Sequence, residues 1–167
     1  MNQATPKLGA IELGTPSTAE EWRQVRQLFQ EYADSVGVDL CFQNFAAELE
    51  RLPGEYAAPM GAVLVAKQGH ALAGCCALRP LVSADYSNAA EMKRLYVQPA
   101  FRGLGVGRLI VESVLEAARV AGYSCVLLDT LDDMEAARAL YEELGFTEVP
   151  PFYFNPIPGA HYLKVDL

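Results

Sequence analysis

Seven residues, Arg102-Gly103-Leu104-Gly105-Val106-Gly107-Arg108, join a strand-like run to an amphipathic helix, and this junction restricts the fold more than any other stretch. Before it, Met92-Lys93-Arg94-Leu95-Tyr96-Val97 reads as a β-strand. After it, apolar residues at 106, 109, 110, 114, 117 and 121 repeat at helical spacing. A glycine turn at a helix N-terminus offers several backbone N–H groups and the positive end of the helix dipole. Without a Cβ, its backbone can approach an anion closely. The turn is therefore a candidate diphosphate cradle, with Arg102 and Arg108 as flanking cations. An ordinary tight strand-to-helix connection would use the same glycines, so the surrounding sequence has to decide.

A P-loop needs Gly-Lys-Ser/Thr at the helix start, where this chain has Gly107-Arg108-Leu109. A dinucleotide fold needs Gly-x-Gly-x-x-Gly in a first βα unit and an acidic residue about twenty positions on. The glycines here fall at 103, 105 and 107, deep in the chain. Asp129 does follow a strand-like run near the required distance, so one of those requirements is met.

The spacing Arg102-x-x-Gly105-x-Gly107 resembles the pyrophosphate signature of the GNAT superfamily of acyl-CoA-dependent N-acyltransferases. Upstream, Lys93-Arg94-Leu95-Tyr96-Val97-Gln98-Pro99 is similar to that family's fourth strand. Downstream, Ala137-Arg138-Ala139-Leu140-Tyr141-Glu142-Glu143-Leu144-Gly145-Phe146 resembles its A-x-x-x-Y-x-x-x-G-F helix and turn. Two motifs in this order and spacing are far more specific than either alone, and they span residues 91–146.

The length of 167 residues suits one domain over 1–167 with a real core. No apolar run approaches the eighteen residues of a membrane span, and Met1 to Lys7 show no apolar signal region. The expected location is therefore cytoplasmic. Cysteines 41, 75, 76 and 125 lack metal spacing, and His70 and His161 lie far apart, so no metal site is expected. Cys75 and Cys76, adjacent in a strand, should face opposite ways. The net charge of −8 argues against nucleic acid and suits a cationic amine only mildly.

Ala10 to Leu13 reads as a short strand, followed by a helix capped at Ser17 or Thr18 and ended by Gly37. A second helix covers Phe42 to Leu52. Ala62–Ala66 and Ala71–Leu78 form a hairpin, and Ala89–Val97 is the next strand. The glycine turn and a long helix to Ala121 follow, then strand Ser124–Asp129, helix Asp133–Leu144, short strand Phe146–Val149 and final strand His161–Val165. This order matches the α/β GNAT fold, a mixed central sheet of about six to seven strands with helices on both faces.

The resemblance also implies site residues. Leu95, Tyr96 and Val97 should bond the pantetheine arm of acetyl-CoA where the fourth and fifth strands splay, one N–H polarising the thioester carbonyl. The turn Arg102, Gly103, Leu104, Gly105, Val106, Gly107 and Arg108 should hold the diphosphate. Tyr141 occupies the tyrosine position that the family often uses to protonate the departing thiolate; the alternative is packing against the cofactor. Glu91 lies eleven residues before Arg102, where histone-type members carry a general base. On a regular strand 91, 93, 95 and 97 share one face, and a carboxylate there could act through water. It could equally be solvated or paired with Lys93 or Arg94.

Phe29, Tyr32 and Tyr56 resemble the region covering the acceptor, although an aromatic helix stripe also suits a core. Tyr153 and Asn155 lie on a loop that usually reaches the acceptor, and Asp129 with Thr130 ends a strand beside the cleft. Met134 stands where many members carry a cofactor-bonding Asn. The implied function is acetyl transfer from acetyl-CoA to a primary amine of a small molecule or peptide, by direct attack in a ternary complex. The competing reading is a non-catalytic acyl-CoA sensor, and a homodimer is the assembly considered.

Overall fold

Thr18 starts the first helix. Its Oγ1 accepts the backbone N–H of Glu21 at 3.1 Å, and α1 (Ala19–Val36) ends where Gly37 takes a left-handed φ of 72°. The computed structural model describes residues 8–37, 39–40 and 43–167. The expected helix start at Phe42, the thiol of Cys41 and the segment 1–7 lie outside the described residues. Within them, α2 spans Phe45–Arg51, α3 Val106–Val120 and α4 Glu135–Glu143.

The strands are β1 (Glu12–Gly14), β2 (Ala62–Gln68), β3 (Ala71–Leu81), β4 (Ala89–Val97), β5 (Cys125–Leu131), β6 (Thr147–Glu148) and β7 (Ala160–Asp166). Among the described residues they form one seven-stranded sheet in the order β1-β2-β3-β4-β5-β7-β6. Only β4 and β5 pair in parallel, which makes the sheet mixed. The expected fold class is the one observed.

Each face of the sheet buries its own apolar layer. On one, Ile110, Val111 and Val114 of α3 pack with Cys76, Leu78, Met92 and Tyr141 of β3, β4 and α4. On the other, Val25, Leu28 and Phe29 of α1 pack with Val63, Val65, Cys75 and Tyr96. Cys75 and Cys76 therefore do point opposite ways. Burial pushes the thiols of Cys75, Cys76 and Cys125 up, so none is a ready thiolate. His161 on β7 ties neighbouring elements together, bonding Asp132 before α4 and Glu148 of β6. Among the described residues no helix is long and apolar enough to cross a membrane.

Gly74 shows how tightly β4 is held. A Cβ there would stand 2.7 Å from the carbonyl oxygen of Tyr96, closer than side chains tolerate, and a tight 3.0 Å from Ile110 Cδ1. The glycine lets α3 and the end of β4 press together beside the site.

Candidate active site

β4 carries an irregularity that alternation cannot reveal. Cys75 pairs with Tyr96 and Ala77 with Lys93, so two residues of β4 face Cys76 alone. Arg94 occupies this bulge with φ of 63°, a left-handed conformation that costs a non-glycine residue about 1–3 kcal/mol. Its side chain is anchored in return. Nε donates to Glu48 Oε2 at 2.9 Å, and the guanidinium lies 5.7 Å from the Tyr32 ring centroid and 5.1 Å from that of Phe45. The bulge resets the faces of the strand. Glu91, Lys93 and Tyr96 share the α1 side, while Leu95 and Val97 pack on the α3 side, which corrects the expectation that 91, 93, 95 and 97 lie together.

Pairing between β4 and β5 stops at Glu91 and Leu127. Beyond that point the β5-facing edge of residues 92–97 has no strand partner, and the two strands splay. An extended ligand arm can lie in such a gap and use the backbone groups.

At the far end of β4, Gly105 sits at φ 81° as the N-cap of α3 and has no side chain to cap the first turn. The leading N–H groups of the helix are thus left for a ligand, at the positive end of its dipole. A groove of about 410 Å³ runs from this turn, lined by Val97, Arg102, Gly103, Gly105, Gly107 and Leu140 among others. These residues fit a diphosphate followed by an apolar arm. Arg102 is fixed at its mouth, with Nε donating to the Val97 carbonyl at 2.9 Å and its guanidinium 5.5 Å from the Tyr96 centroid. Arg108 is employed elsewhere, bonded to Glu143 of α4 and 3.6 Å from Glu112. Leu104 turns toward the core.

The groove adjoins a cavity of about 50 Å³, and Tyr32, Leu95, Met134 and Ala137 line both. Tyr141, Asp129, Thr130, Lys93, Arg94 and Gln43, with Met92 and Leu128, complete the smaller space. Tyr141 is buried and packs at 5.5 Å on Phe146; that burial pushes its phenol well above the ordinary range and keeps it protonated. Asp129 Oδ2 accepts the Tyr153 hydroxyl and, at 2.9 Å, Asn155 Nδ2. Burial, with Asp129 beside it, raises Tyr153 as well. Gln43 Nε2 bonds the same phenol at 3.2 Å, so the loop before β7, the end of β5 and the segment before α2 converge.

The sequence model of the acetyltransferase (GNAT) family matches residues 22–146. An uncharacterized N-acetyltransferase of Schizosaccharomyces pombe is 37% identical over 158 residues, covering 94% of this chain and 95% of the relative. The chain belongs to the GNAT acetyltransferase family. Its fold is shared with a Staphylococcus aureus GNAT acetyltransferase, at TM-score 0.75 and 18% identity over 93% of this chain and 98% of that one. An N-acetyltransferase of Thermoplasma acidophilum, solved in complex with coenzyme A, superposes at TM-score 0.71 with 14% identity over 94% and 99%.

In this acetyltransferase the expected acceptor residues divide. Tyr32 lies at the junction of groove and cavity, and Asp129, Tyr153 and Asn155 form one bonded cluster. Phe29 does not join them: it is fully buried and meets Tyr56 edge-on at 6.2 Å, a core contact. Tyr56 donates to Glu48 at 2.8 Å. Glu91 is neither solvated nor paired with Lys93 or Arg94. It is 2% exposed, and its Oε1 accepts Nε and Nη2 of Arg79, each at 2.8 Å. Sequence reasoning missed Gln43, Lys93 and the Arg94–Glu48 pair as parts of the site. The signal for Lys93 was its register with Glu91; nothing local marks Gln43.

Proposed function

We propose that this N-acetyltransferase carries an acetyl group from the glycine-turn groove directly to an amine held in the small cavity. The continuity of groove and cavity carries this reading: Tyr32, Leu95, Met134 and Ala137 line both, and Tyr141 and Asp129 line the cavity that the groove opens onto. Acetyl-CoA, when bound, supplies the thioester. The α3 N-terminus and Arg102 receive its diphosphate, and the unpaired edge of β4 at Leu95, Tyr96 and Val97 receives the arm. Asp129 holds the incoming ammonium through Oδ1, since both bonds from Tyr153 and Asn155 fall on Oδ2. The amine attacks as its neutral form after losing a proton to Asp129 or water. Tyr141, kept protonated by burial, donates to the departing thiolate. Among the described residues the raised thiols leave no cysteine suited to a covalent acyl-enzyme.

The reading is tested by following thiol release from acetyl-CoA against a panel of primary amines. Release should depend on the amine and saturate with it. Tight coenzyme A binding with no amine-dependent release would make the chain a sensor instead.

Glu91 reaches this chemistry at one remove. Bonded to Arg79 and absent from the cavity wall, it sets the charge beside Lys93. Glu91→Gln is therefore expected to shift the pH–rate profile little and to lower the rate about equally at every pH. If Glu91 were the general base, the loss would be greatest at low pH, where free amine is scarce, and would narrow toward the pKa of the amine.

A further inference from the structure

Two buried cations, Lys93 and Arg94, line the acceptor cavity, and the half-buried Arg79 stands behind them; both arginines have carboxylate partners. Arg79 pairs with Glu91 at 2.8 Å and Glu55 at 2.6 Å, and Arg94 pairs with Glu48 at 2.9 Å. Lys93 differs. It is only 8% exposed, yet among the described residues no carboxylate lies within ion-pair distance of Nζ. The bond it makes is to a neutral group, Gln43 Oε1, at 3.2 Å. Burying an ammonium without an anion is costly, and burial pushes Lys93 down from the ordinary range; an anionic group brought into the cavity would relieve that cost.

Lys93 lines the same cavity as Asp129. The Asp129 carboxylate approaches from β5, across the splay, and keeps Oδ1 clear of the Tyr153 and Asn155 bonds. The space thus has a cationic corner and an anionic corner, with Glu91 on the strand face of Lys93, Arg94 lining the same cavity but paired with Glu48, and Arg79 as a further like charge outside it. A molecule bearing an ammonium and a carboxylate a few atoms apart matches both corners; a simple amine matches one.

We infer that the acceptor is an amine that also carries a carboxylate, an α-amino acid or a close relative, with its carboxylate on Lys93 and its ammonium on Asp129. This rests on the transfer reading above and adds the substrate class. At about 50 Å³ the cavity admits only the head of such a molecule. The rest extends past Gln43 into a neighbouring space of about 440 Å³ lined by Glu48, Arg51, Glu55, Tyr56 and Arg79.

The test compares matched acceptors, several α-amino acids against their decarboxylated amines, with acetyl-CoA saturating. Wild-type enzyme should favour the amino acids in kcat/KM. In Lys93→Met that preference should fall roughly ten- to hundredfold, mainly through KM, the span expected of one charge-assisted contact. Lys93→Arg, which keeps the charge, should retain most of the preference, and circular dichroism of both variants checks folding. A wild-type preference for decarboxylated amines, or an unchanged ratio in Lys93→Met, overturns the inference while leaving the transfer reading intact. So does an equal kcat loss on both acceptor types with loss of a pH limb, which would make Lys93 a base. Turnover of neither set by protein that binds acetyl-CoA overturns both.

Discussion

Tyr141→Phe is expected to lower kcat by about 10²–10⁴ while leaving coenzyme A affinity nearly unchanged. The ring lies in the core against Phe146, and phenylalanine fills the same volume, so the fold should survive. What disappears is a phenol hydroxyl on a residue lining the cavity beside the groove. A leaving thiolate with an ordinary pKa of about 8.5 is a poor base in water, but a phenol positioned beside it still shortens the proton's path. Burial raises this phenol, so it enters each turnover protonated across the neutral range. Stopped-flow thiol release and calorimetric binding separate the two effects. A small loss confined to binding would reduce Tyr141 to a packing residue.

The second large effect belongs to the glycine turn. Gly105→Asp is expected to weaken coenzyme A binding by roughly a hundredfold, because it combines two penalties. It forces a Cβ into a φ of 81°, which costs about 1–2 kcal/mol, and it places a carboxylate where the helix dipole attracts anions. Arg102→Ala should cost roughly tenfold, as expected for one charge-assisted contact to the diphosphate. Arg108→Ala should do little, since Glu143 and Glu112 already engage that guanidinium. Unchanged calorimetric affinity in both Gly105→Asp and Arg102→Ala would remove the diphosphate from this turn. Equal losses in Arg102→Ala and Arg108→Ala would show that both cations face the ligand.

The division between Arg102 and Arg108 marks where sequence reasoning ended. Both flank the turn and look equivalent along the chain. Only the packing of α4 beside α3 brings Glu143 to Arg108 and takes it out of the groove. Phe29 follows the same logic. Its helical spacing with Val25 and Leu28 put it on the apolar stripe of α1, and such a stripe serves core or ligand equally until the sheet is in place.

The sequence by itself determined the order and type of the elements, the glycine turn at a helix start and the second motif with its tyrosine. These are local matters: hydrophobic period, capping groups and backbone freedom act over a few residues and can be read in a line. Tertiary structure alone decided the bulge at Arg94, the pairing of Glu91 with Arg79, and the gathering of Gln43, Lys93, Asp129, Tyr153 and Asn155 around one cavity. Most of these charges are answered by elements far apart in the chain, as Glu91 is by Arg79 and Asp129 by Tyr153 and Asn155. A buried charge is stabilised by a group on another strand or loop, and that answer is written in no single segment.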